Sequence, residues 1–441
     1  MMLIKPTVVI VFIFSIVVSS SAQMRVLTLE EAIASALEKN YDIQLARNDS
    51  VIAAIDYGYR NTIFLPRLNA NTSTTWNINN TKQTLADGTK RESSGLKSNN
   101  ISAQAVLNWT LFDGLRMFAT RDKAEQLLQL GELEIKNQVI NTVAQVINNY
   151  YNVVRQKQQL RAIDTLISID TERVRLAQYR LDIGVGTKPE LLQSKIDLNM
   201  QKSDRLQEVA LIAQLKEQLN QAMNVPQFTN YDVVDSIDID MTITLGEVLA
   251  GAEKNDPLLQ INQKEIDIAK LTLKEQKAGL YPTINFNSAY NFTRNKNQKV
   301  INSFSTLFNQ NKGFNYGLSA TVPIFNGLNQ RRLIRQAKWD IQYQGLVMEN
   351  QKSVTALSVI NAFQSYEQQK QSLELEEENI LLARENLDIV FQAYKLGAST
   401  LIQLKLVQQT LQDAFARLIA ARYNAKLAET ELLRLSGVLV R

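Results

Sequence analysis

The 441-residue sequence contains neither cysteine nor histidine. Without cysteine the chain has no disulfide, no thiolate metal site, no thiol nucleophile and no cysteine that could carry an N-terminal lipid anchor. Without histidine it lacks the commonest general base and the commonest metal ligand. The sequence also has no Gly-rich phosphate-binding loop and no nucleophile elbow. These absences argue against an enzyme, and we identify no catalytic, metal-binding or cofactor-binding residue.

A surface hydrolase that uses two carboxylates is the enzyme class that these absences leave open. However, no pair of acidic residues stands out, and the densest acidic run, residues 374–378 (ELEEE), is typical of a solvated helix face. The formal net charge of +4 comes without a basic stripe, so nucleic acid is not expected as a partner.

Long apolar runs are confined to the N-terminus. Lys5 precedes an apolar run over residues 8–18, and Ser20-Ser21-Ala22 then supplies small residues before a cleavage site. This pattern is typical of a secretory signal peptide, so we expect residues 1–22 to be removed after Ala22. No later segment has the 18 consecutive apolar residues of a transmembrane helix. The sequence therefore predicts an exported protein.

The mature sequence contains an internal duplication. Residues 28–45 (TLEEAIASALEKNYDIQL) match residues 244–260 (TLGEVLAGAEKNDPLLQ) with one gap. Phe112-Asp113-Gly114 recurs as Phe325-Asn326-Gly327, and the same offset relates residues 182–187 (DIGVGT) to residues 395–400 (KLGAST). Matching order and spacing predict two copies of one unit. The expected divisions are a first repeat over 23–224, a linker over 225–243 and a second repeat over 244–441.

Proline is scarce, and none of the seven lies within residues 115–181 or 328–395. Proline in a helix interior would cost about 3 kcal/mol. Both segments carry regularly spaced apolar residues: Val139, Val143, Val146, Tyr150 and Val153 in the first, and Val359, Tyr366, Leu373, Ile380, Leu387 and Tyr394 in the second. This spacing predicts two long helices with left-handed, coiled-coil-like packing, each about 100 Å long at about 1.5 Å per residue.

Each long helix is predicted to end at a glycine turn from which a second helix returns. Gly184 and Gly186 supply the turn conformations in the first repeat, and Gly397 does so in the second. Thr187 and Thr400 can then cap the returning helices. Two ordinary coiled-coil hairpins in a structural or adhesive protein explain this pattern equally well.

Four segments alternate between apolar and polar residues, namely 68–79, 101–112, 283–293 and 314–324. We interpret them as two β-hairpins, residues 67–112 and 283–325, with polar connections over 80–99 and 294–312. Strands of about 10 residues with one apolar and one polar face are typical of transmembrane β-barrels. Trp76, Trp109, Tyr290 and Tyr316 are candidates for the aromatic residues at the membrane interfaces. A half-buried sheet of a soluble protein has the same alternation and stays an alternative.

Four strands cannot close a barrel, and open sheet edges are not tolerated in lipid. Three chains would supply 12 strands, which is within the known range. The polar faces would then line a lumen. Asp113-Gly114 and Asn326-Gly327 would mark the turns at which a strand leaves the membrane and a long helix begins.

The chain resembles the TolC-type outer-membrane efflux protein family. The resemblance covers the mature sequence and depends on the duplicated TLEEA and TLGEV starts, Leu65-Pro66, the FDG and VPIFNG motifs and the two glycine turns. It implies an α+β membrane protein, a homotrimer whose 12-stranded outer-membrane β-barrel continues into a long periplasmic α-helical barrel. It also implies an outer-membrane location in a Gram-negative cell, here without a lipid anchor.

The resemblance further implies an exit duct of a tripartite efflux or type I secretion system, which conducts small molecules or proteins passively. The implied partners are outer-membrane lipid, a periplasmic adaptor (membrane fusion) protein and an inner-membrane pump of RND, ABC or MFS type. Adaptor contact falls on the two turns, at Gly184, Val185, Gly186, Thr187, Gly397, Ala398, Ser399 and Thr400.

Some members of the family narrow the periplasmic aperture with acidic rings just after the second turn. Gln403 and Leu406 occupy those positions here, which puts an acidic ring in doubt. Glu190 is the equivalent residue of the first repeat. It either contributes charge to the aperture or lies in the first turn of its helix, where the helix dipole favours a carboxylate.

Overall fold

The computed structural model describes residues 25–229, 231–301 and 304–439. The expected signal peptide, residues 1–22, lies outside these described residues. The elements in chain order are β1 (Val26–Leu27), α1 (Leu29–Lys39), α2 (Tyr41–Gly58), β2 (Arg67–Thr84), β3 (Lys90–Phe112), α3 (Arg116–Asp182), α4 (Lys188–Met223), β4 (Asp232–Val233), α5 (Leu245–Asn255), α6 (Pro257–Ala278), β5 (Thr283–Asn297), β6 (Phe308–Thr321), α7 (Asn329–Lys395) and α8 (Leu401–Leu435). No helix in the described ranges is both long and apolar enough to cross a membrane.

The chain divides into two units. The first comprises residues 25–40, Gln145–Ile239 and Gln369–Leu427, and we call it the tip unit because it contains both glycine turns. The second comprises Tyr41–Ala144, Asp240–Gln368 and residues 428–439, and we call it the sheet unit. Helices α3 and α7 contribute residues to both units.

The sheet unit contains a four-stranded antiparallel sheet in the order β2-β3-β5-β6. The pairing of β3 with β5 joins the strands of the two sequence repeats into one sheet. β2 and β6 are its edges, and neither has a second neighbour among the described strands. Each edge strand therefore presents one row of backbone N–H and C=O groups without a partner in the sheet.

The strands run further than the sequence predicts. Residues 80–99 and 294–312 were expected to be connections, but β2 continues to Thr84, β3 begins at Lys90, β5 continues to Asn297 and β6 begins at Phe308. That prediction was wrong because it followed the alternation of side chains, which stops where both faces become polar. Backbone pairing continues there, since an antiparallel ladder needs only N–H and C=O groups.

The fourth strand also ends earlier than predicted. β6 stops at Thr321, so Val322 and Ile324 extend the apolar pattern without belonging to the strand. Pro323 lies between them and has no N–H group to donate to a ladder. The extent predicted for this strand, up to residue 324, was therefore wrong.

The register of the sheet confirms the predicted separation of apolar and polar faces. Trp109 lies directly opposite Phe286 on one face. On the other face Gln104 lies between Asn71 and Asn291. Side chains on both faces are solvent-accessible within one chain; Trp76, for example, is 73% exposed.

Helices α3 and α7 confirm the two predicted long helices, and each contains 67 residues. Their regularly spaced apolar residues are buried: Val143, Val146, Tyr150 and Val153 in α3, and Val359, Tyr366, Leu373, Ile380, Leu387 and Tyr394 in α7. Val139 is partly buried. The apolar stripe read from the sequence is therefore the packing seam of each helix.

One buried tyrosine in each long helix fixes the segment that precedes α1 or α5. In the tip unit, Tyr150 donates a 2.8 Å hydrogen bond to the carbonyl of Leu27, in the short parallel sheet of β1 and β4. In the sheet unit, Tyr366 donates a 2.6 Å hydrogen bond to the carbonyl of Asp240. Tyr366 also packs in a core formed by α5, α7 and α8, with Val248, Ala252, Val359, Ala428 and Leu432.

Candidate functional site

The first glycine turn closes α3 with a left-handed residue. Gly184 has a φ of +80°, and the N–H groups of Val185 and Gly186 both donate to the carbonyl of Arg180, at 3.0 and 2.8 Å. A β-carbon at Gly186 would lie 2.9 Å from that carbonyl carbon, so this position requires glycine. Thr187 then caps α4, because its hydroxyl accepts a 3.4 Å hydrogen bond from the N–H of Glu190.

The second glycine turn closes α7 in the same way. Gly397 has a φ of +77°, and its N–H group donates to the carbonyl of Tyr394 at 3.1 Å. Thr400 caps α8 through a reciprocal pair of bonds: the N–H of Gln403 donates to the Thr400 hydroxyl at 3.2 Å, and the N–H of Thr400 donates to the Gln403 amide oxygen at 2.9 Å. Ser399 also donates to this oxygen, at 3.0 Å. The side chain of Gln403 thus helps to close the turn.

Large apolar side chains surround both turns and are exposed. Val185 is 64% exposed and Leu396 is 85% exposed, while Ile402 and Leu406 lie exposed on the first two turns of α8. Of the residues predicted for adaptor contact, only Gly186 and Ser399 are partly buried. The tip unit therefore presents an apolar surface that the described residues leave uncovered.

A cluster of three side chains joins the two turns. The hydroxyl of Tyr394, the last buried residue of α7, donates a hydrogen bond to the carboxylate of Glu190 in the first turn of α4. The guanidinium of Arg180 lies 5.1 Å from the ring centre of Tyr394 and 3.9 Å from Glu190. Burial, followed by the hydrogen bond to Glu190, raises the pKa of Tyr394 to about 12. The phenol therefore stays neutral and remains a donor at physiological pH.

The dipole alternative fits the position of Glu190, whereas its contribution to the aperture stays a prediction. The residue lies in the first turn of α4, where the helix dipole favours its carboxylate. The same carboxylate also connects the first turn to the second through Tyr394. Leu406 makes no comparable polar contact and points an apolar side chain to solvent.

A second polar cluster, which the sequence did not reveal, is buried further along the helices of the tip unit. Arg173 is 1% exposed, and its guanidinium contacts Asp170 at 3.3 Å and Asp197 at 2.7 Å. It also donates to the side-chain oxygen of Gln408, and Lys405 donates to Asp197 at 3.0 Å. Three helices, α3, α4 and α8, thereby share one network of charges.

The sequence contains a signal for this cluster in the spacing of α3. Leu166, Asp170, Arg173 and Ala177 follow the 4-3-4 pattern of a packing seam, and all four are buried. Two adjacent seam positions therefore carry opposite charges, whereas the earlier seam residues Val143, Val146, Tyr150 and Val153 of the same helix are apolar. A charge at a seam position indicates a buried ion pair, because an unpaired buried charge is very costly.

The predicted strand-to-helix turns lie in the sheet unit. Gly114 and Gly327 have φ values of +73° and +64°, and the leucine that follows each of them is also left-handed. Asp113 caps α3 by accepting a 3.2 Å hydrogen bond from the N–H of Met117. Asn326 accepts a longer one, at 3.5 Å, from the N–H of Gln330. The two copies of the motif therefore make the same turn.

Nothing in the described ranges groups three or more Asp or Glu residues in a way that could hold a metal ion. The contacts described at the tips are hydrogen bonds and an ion pair, beside exposed apolar side chains.

Comparison with known proteins identifies the family. The family model described as "Outer membrane efflux protein" matches residues 32–225 and 248–438. Among curated proteins, the chain is 21% identical to outer membrane efflux protein BepC of Brucella suis over 340 residues, which cover 75% of this chain and 71% of BepC. It is likewise 21% identical to outer membrane protein TolC of Escherichia coli over 365 residues, which cover 79% of this chain and 72% of TolC.

The fold is also that of solved outer-membrane channels. The crystal structure of CusC superposes with a TM-score of 0.75 over 93% of this chain and 92% of that chain, at 16% sequence identity. The open state of the Neisseria gonorrhoeae MtrE outer membrane channel superposes with a TM-score of 0.72, at 18% identity and over 93% of this chain and 89% of MtrE. The α+β channel fold expected from the sequence is confirmed. The chain belongs to the outer membrane efflux protein family, as an efflux or secretion channel of the Gram-negative outer membrane.

Proposed function

We propose that three copies of this chain form a passive exit duct that crosses the outer membrane and extends into the periplasm. Small molecules or proteins pass through it from an inner-membrane pump of RND, ABC or MFS type. The duct makes and breaks no covalent bond, so the protein is not an enzyme, and the pump supplies the energy. The observation that carries the proposal is a four-stranded sheet with two free edges and two faces of opposite character.

A homotrimer would supply the strands that close this sheet. Free backbone groups on β2 and β6 would each cost several kcal/mol in hydrocarbon, so the sheet must be closed by other strands. Three chains give a closed barrel of 12 strands, which is an even number within the known range. The Asn-rich face then lines the water-filled lumen and the apolar face contacts lipid.

We also propose that the chain consists of two structural repeats, over 23–224 and 244–441, with an equatorial linker over 225–243. The two ranges matched by the family model, 32–225 and 248–438, support this division. The equivalent turns at Gly114 and Gly327 support it as well. The turns would lie where each strand leaves the membrane.

The exposed surface of the tip unit is the proposed docking site for a periplasmic adaptor protein. It comprises Gly184, Val185, Gly186 and Thr187 of the first turn, and Gly397, Ala398, Ser399 and Thr400 of the second. The uncovered apolar side chains beside them, Val185 and Leu396 above all, support a protein partner. Glycine turns with rigid caps would present these side chains in a fixed geometry.

Near the tips, Glu190 is the candidate we retain for control of the periplasmic aperture. The Glu190–Tyr394 bond holds α4 against α7, so its loss would free the tips to move apart. We assign Gln403 a structural role, because its amide oxygen already accepts three hydrogen bonds from Ser399 and Thr400. Leu406 would contribute an apolar side chain beside the aperture.

The experiment that tests the duct is fractionation of cells followed by electrophoresis with and without boiling. We expect the protein in the outer-membrane fraction, as a heat-dissociable band at the mass of a trimer. Deletion of the gene should then make the cells accumulate a pump substrate, and a plasmid copy should reverse the effect. Recovery as a soluble periplasmic monomer, or unchanged export in the deletion strain, contradicts the proposal.

A further inference from the structure

Four basic side chains occur on the apolar face of the sheet. Lys97 lies opposite Ile78, Arg294 opposite Ile101, and Lys312 opposite Phe292. Lys296 lies two residues beyond Arg294 and so on the same side of β5. We call Lys97, Arg294, Lys296 and Lys312 the basic band.

The basic band occupies four successive rows of the sheet, toward the hairpin ends. The rows lie about 7 Å apart, because two residues of a strand rise about 3.4 Å each. The other side chains in these rows on this face are uncharged: Thr72, Thr74, Trp76, Ile78, Asn99, Ile101, Ala103, Phe292, Gln298, Phe308 and Gln310. The band therefore combines four cations with no acidic residue.

The four cations are exposed, and within the described part of the chain none of them forms an ion pair. Lys82 on the same sheet provides a contrast, because it contacts Glu92 at 2.9 Å. The nearest described partner of Lys312 is the ring of Phe292, 5.9 Å away. The charge of the band is thus uncompensated by the residues that the structure describes.

The place of the band in the membrane follows from the proposed function, on which this inference rests. The hairpin ends of the strands, at Thr84, Lys90, Asn297 and Phe308, are the opposite ends from those that lead into α3 and α7. If the helices are periplasmic, the band faces the outer leaflet. Aromatic residues are enriched at the level of lipid headgroups, and Trp76, Phe292 and Phe308 are interleaved with these cations.

We propose that the basic band binds the phosphate groups of lipopolysaccharide, the glycolipid of the outer leaflet. Charge complementarity requires an anionic partner, and the aromatic and aliphatic side chains in the same rows require one with an apolar part. A phosphorylated glycolipid has both. Arg294 can bind a phosphate through two parallel N–H donors, and the three lysines contribute compact positive charges around it.

The test compares two double variants that lose the same charge. Arg294→Gln/Lys296→Gln removes the centre of the band, whereas Arg67→Gln/Arg91→Gln removes two arginines that the register puts on the polar face. Purified protein in detergent is titrated with lipopolysaccharide, with enzymatically dephosphorylated lipopolysaccharide, and with inorganic phosphate as competitor. We expect the first variant to bind lipopolysaccharide about tenfold more weakly than wild type, and the second to bind like wild type.

Three results overturn the inference: equal binding by both variants, equal binding of the dephosphorylated glycolipid by wild type, or full displacement by millimolar inorganic phosphate. Each preparation is also checked by electrophoresis without boiling. An outer-membrane trimer with unchanged binding overturns the basic band alone. Absence of the wild-type protein from the outer membrane overturns the proposed duct, and the inference fails with it.

Discussion

The guanidinium of Arg173 donates a 2.7 Å hydrogen bond to a carboxylate oxygen of Asp197, and both side chains are buried in the tip unit. Asp170 shares the same cation at 3.3 Å. Burying charges costs solvation, and the network offsets that cost only while every member keeps its partner. Removing the arginine alone should therefore be much worse than removing the whole cluster.

We predict that Arg173→Met lowers the free energy of unfolding by about 3 kcal/mol, because two buried carboxylates lose their shared cation. Urea unfolding of the purified protein, followed by far-ultraviolet circular dichroism, measures the loss. Arg175→Met is the matched control, since Arg175 pairs with Glu172 on the solvent side of the same helix and should have no measurable effect. Additional Asp170→Asn and Asp197→Asn substitutions should restore most of the stability, and equal losses in the two single variants would contradict the prediction.

The contributions of Asp170 and Asp197 to the stability of the folded protein should change with pH in opposite directions. Burial raises the pKa of Asp170 above 3.8, and the charge of Arg173 offsets this only in part. Burial also opposes ionisation of Asp197, but the bonds from Lys405 and Gln193 and the charge of Arg173 together lower its pKa below 3.8. The stability that Asp170 contributes is present below pH 3.8 and is lost as the pH rises through the pKa of Asp170 in the folded protein. The stability that Asp197 contributes is present above pH 3.8 and is lost as the pH falls through the pKa of Asp197 in the folded protein.

At about pH 7 we therefore predict that Asp170→Asn raises the urea midpoint and that Asp197→Asn lowers it. Both differences from wild type should shrink as the pH is lowered toward and below 3.8. Urea titrations at several pH values measure these differences. Shifts of the same sign at neutral pH would show that the two carboxyl groups are not distinguished by their surroundings in this way.

The Tyr394–Glu190 bond should restrain the tips. Tyr394→Phe keeps the buried ring but removes the hydroxyl that donates a hydrogen bond to the carboxylate of Glu190. We predict a higher resting ion conductance in planar lipid bilayers, because α4 and α7 are then no longer joined at the aperture. Tyr366→Phe is the control: it loses a comparable hydrogen bond in the sheet unit and should leave conductance unchanged. Equal conductance in all three proteins contradicts a gating role.

Gly397→Pro should abolish efflux while trimers still form. Gly397 has a φ of +77° and donates its N–H group to Tyr394, and proline permits neither. Gly88→Pro is a matched control, because Gly88 has a φ of +81° and donates to Leu85 in a hairpin connection. Intracellular accumulation of a pump substrate measures efflux, and electrophoresis without boiling measures assembly. Normal efflux in the Gly397 variant would count against adaptor docking at the second turn.

The two strand-to-helix turns should differ in their tolerance of a β-carbon. Gly327→Ala meets no neighbouring atom within 4 Å, so its cost is that of a left-handed alanine, about 1 to 2 kcal/mol. Gly114→Ala carries the same backbone cost, and in addition its β-carbon overlaps the carbonyl oxygen of Ala278. We predict a larger fall in the urea midpoint for Gly114→Ala than for Gly327→Ala. The reverse order would contradict the packing described for Gly114.

Much of the fold was predictable because prolines and glycines in the sequence mark the ends of its helices. Absence of proline from two long segments, together with the repeated glycine turns, located α3 and α7 to within one residue at each end. The alternation of side chains located the parts of β2, β3 and β5 that have one apolar and one polar face. It did not locate the parts nearer the hairpin connections, because Lys97 and Lys296 continue the register of the apolar face with polar side chains.

The parts of the site that were missed depend on pairing between distant residues. The glycine turns and their caps are local, so residues such as Thr187 and Thr400 were identified from spacing alone. The bond between Tyr394 and Glu190 spans 204 positions, and no sequence pattern links the two residues. Arg173 likewise pairs with Asp197 on another helix, although the sequence does show a charged residue at this seam position of α3.

The unpaired sheet edges at β2 and β6 also constrain how the protein assembles and enters the membrane. A solitary subunit that entered the hydrocarbon would leave peptide groups there without hydrogen bonds, at a cost of several kcal/mol for each group. In the proposed trimer, subunits would therefore have to meet before insertion or during it, and the rate of that step would depend on protein concentration. A mutant subunit that folds but cannot pair at one sheet edge would inactivate the mixed trimers that contain it. The fraction of inactive trimers would therefore rise faster than the fraction of mutant subunits.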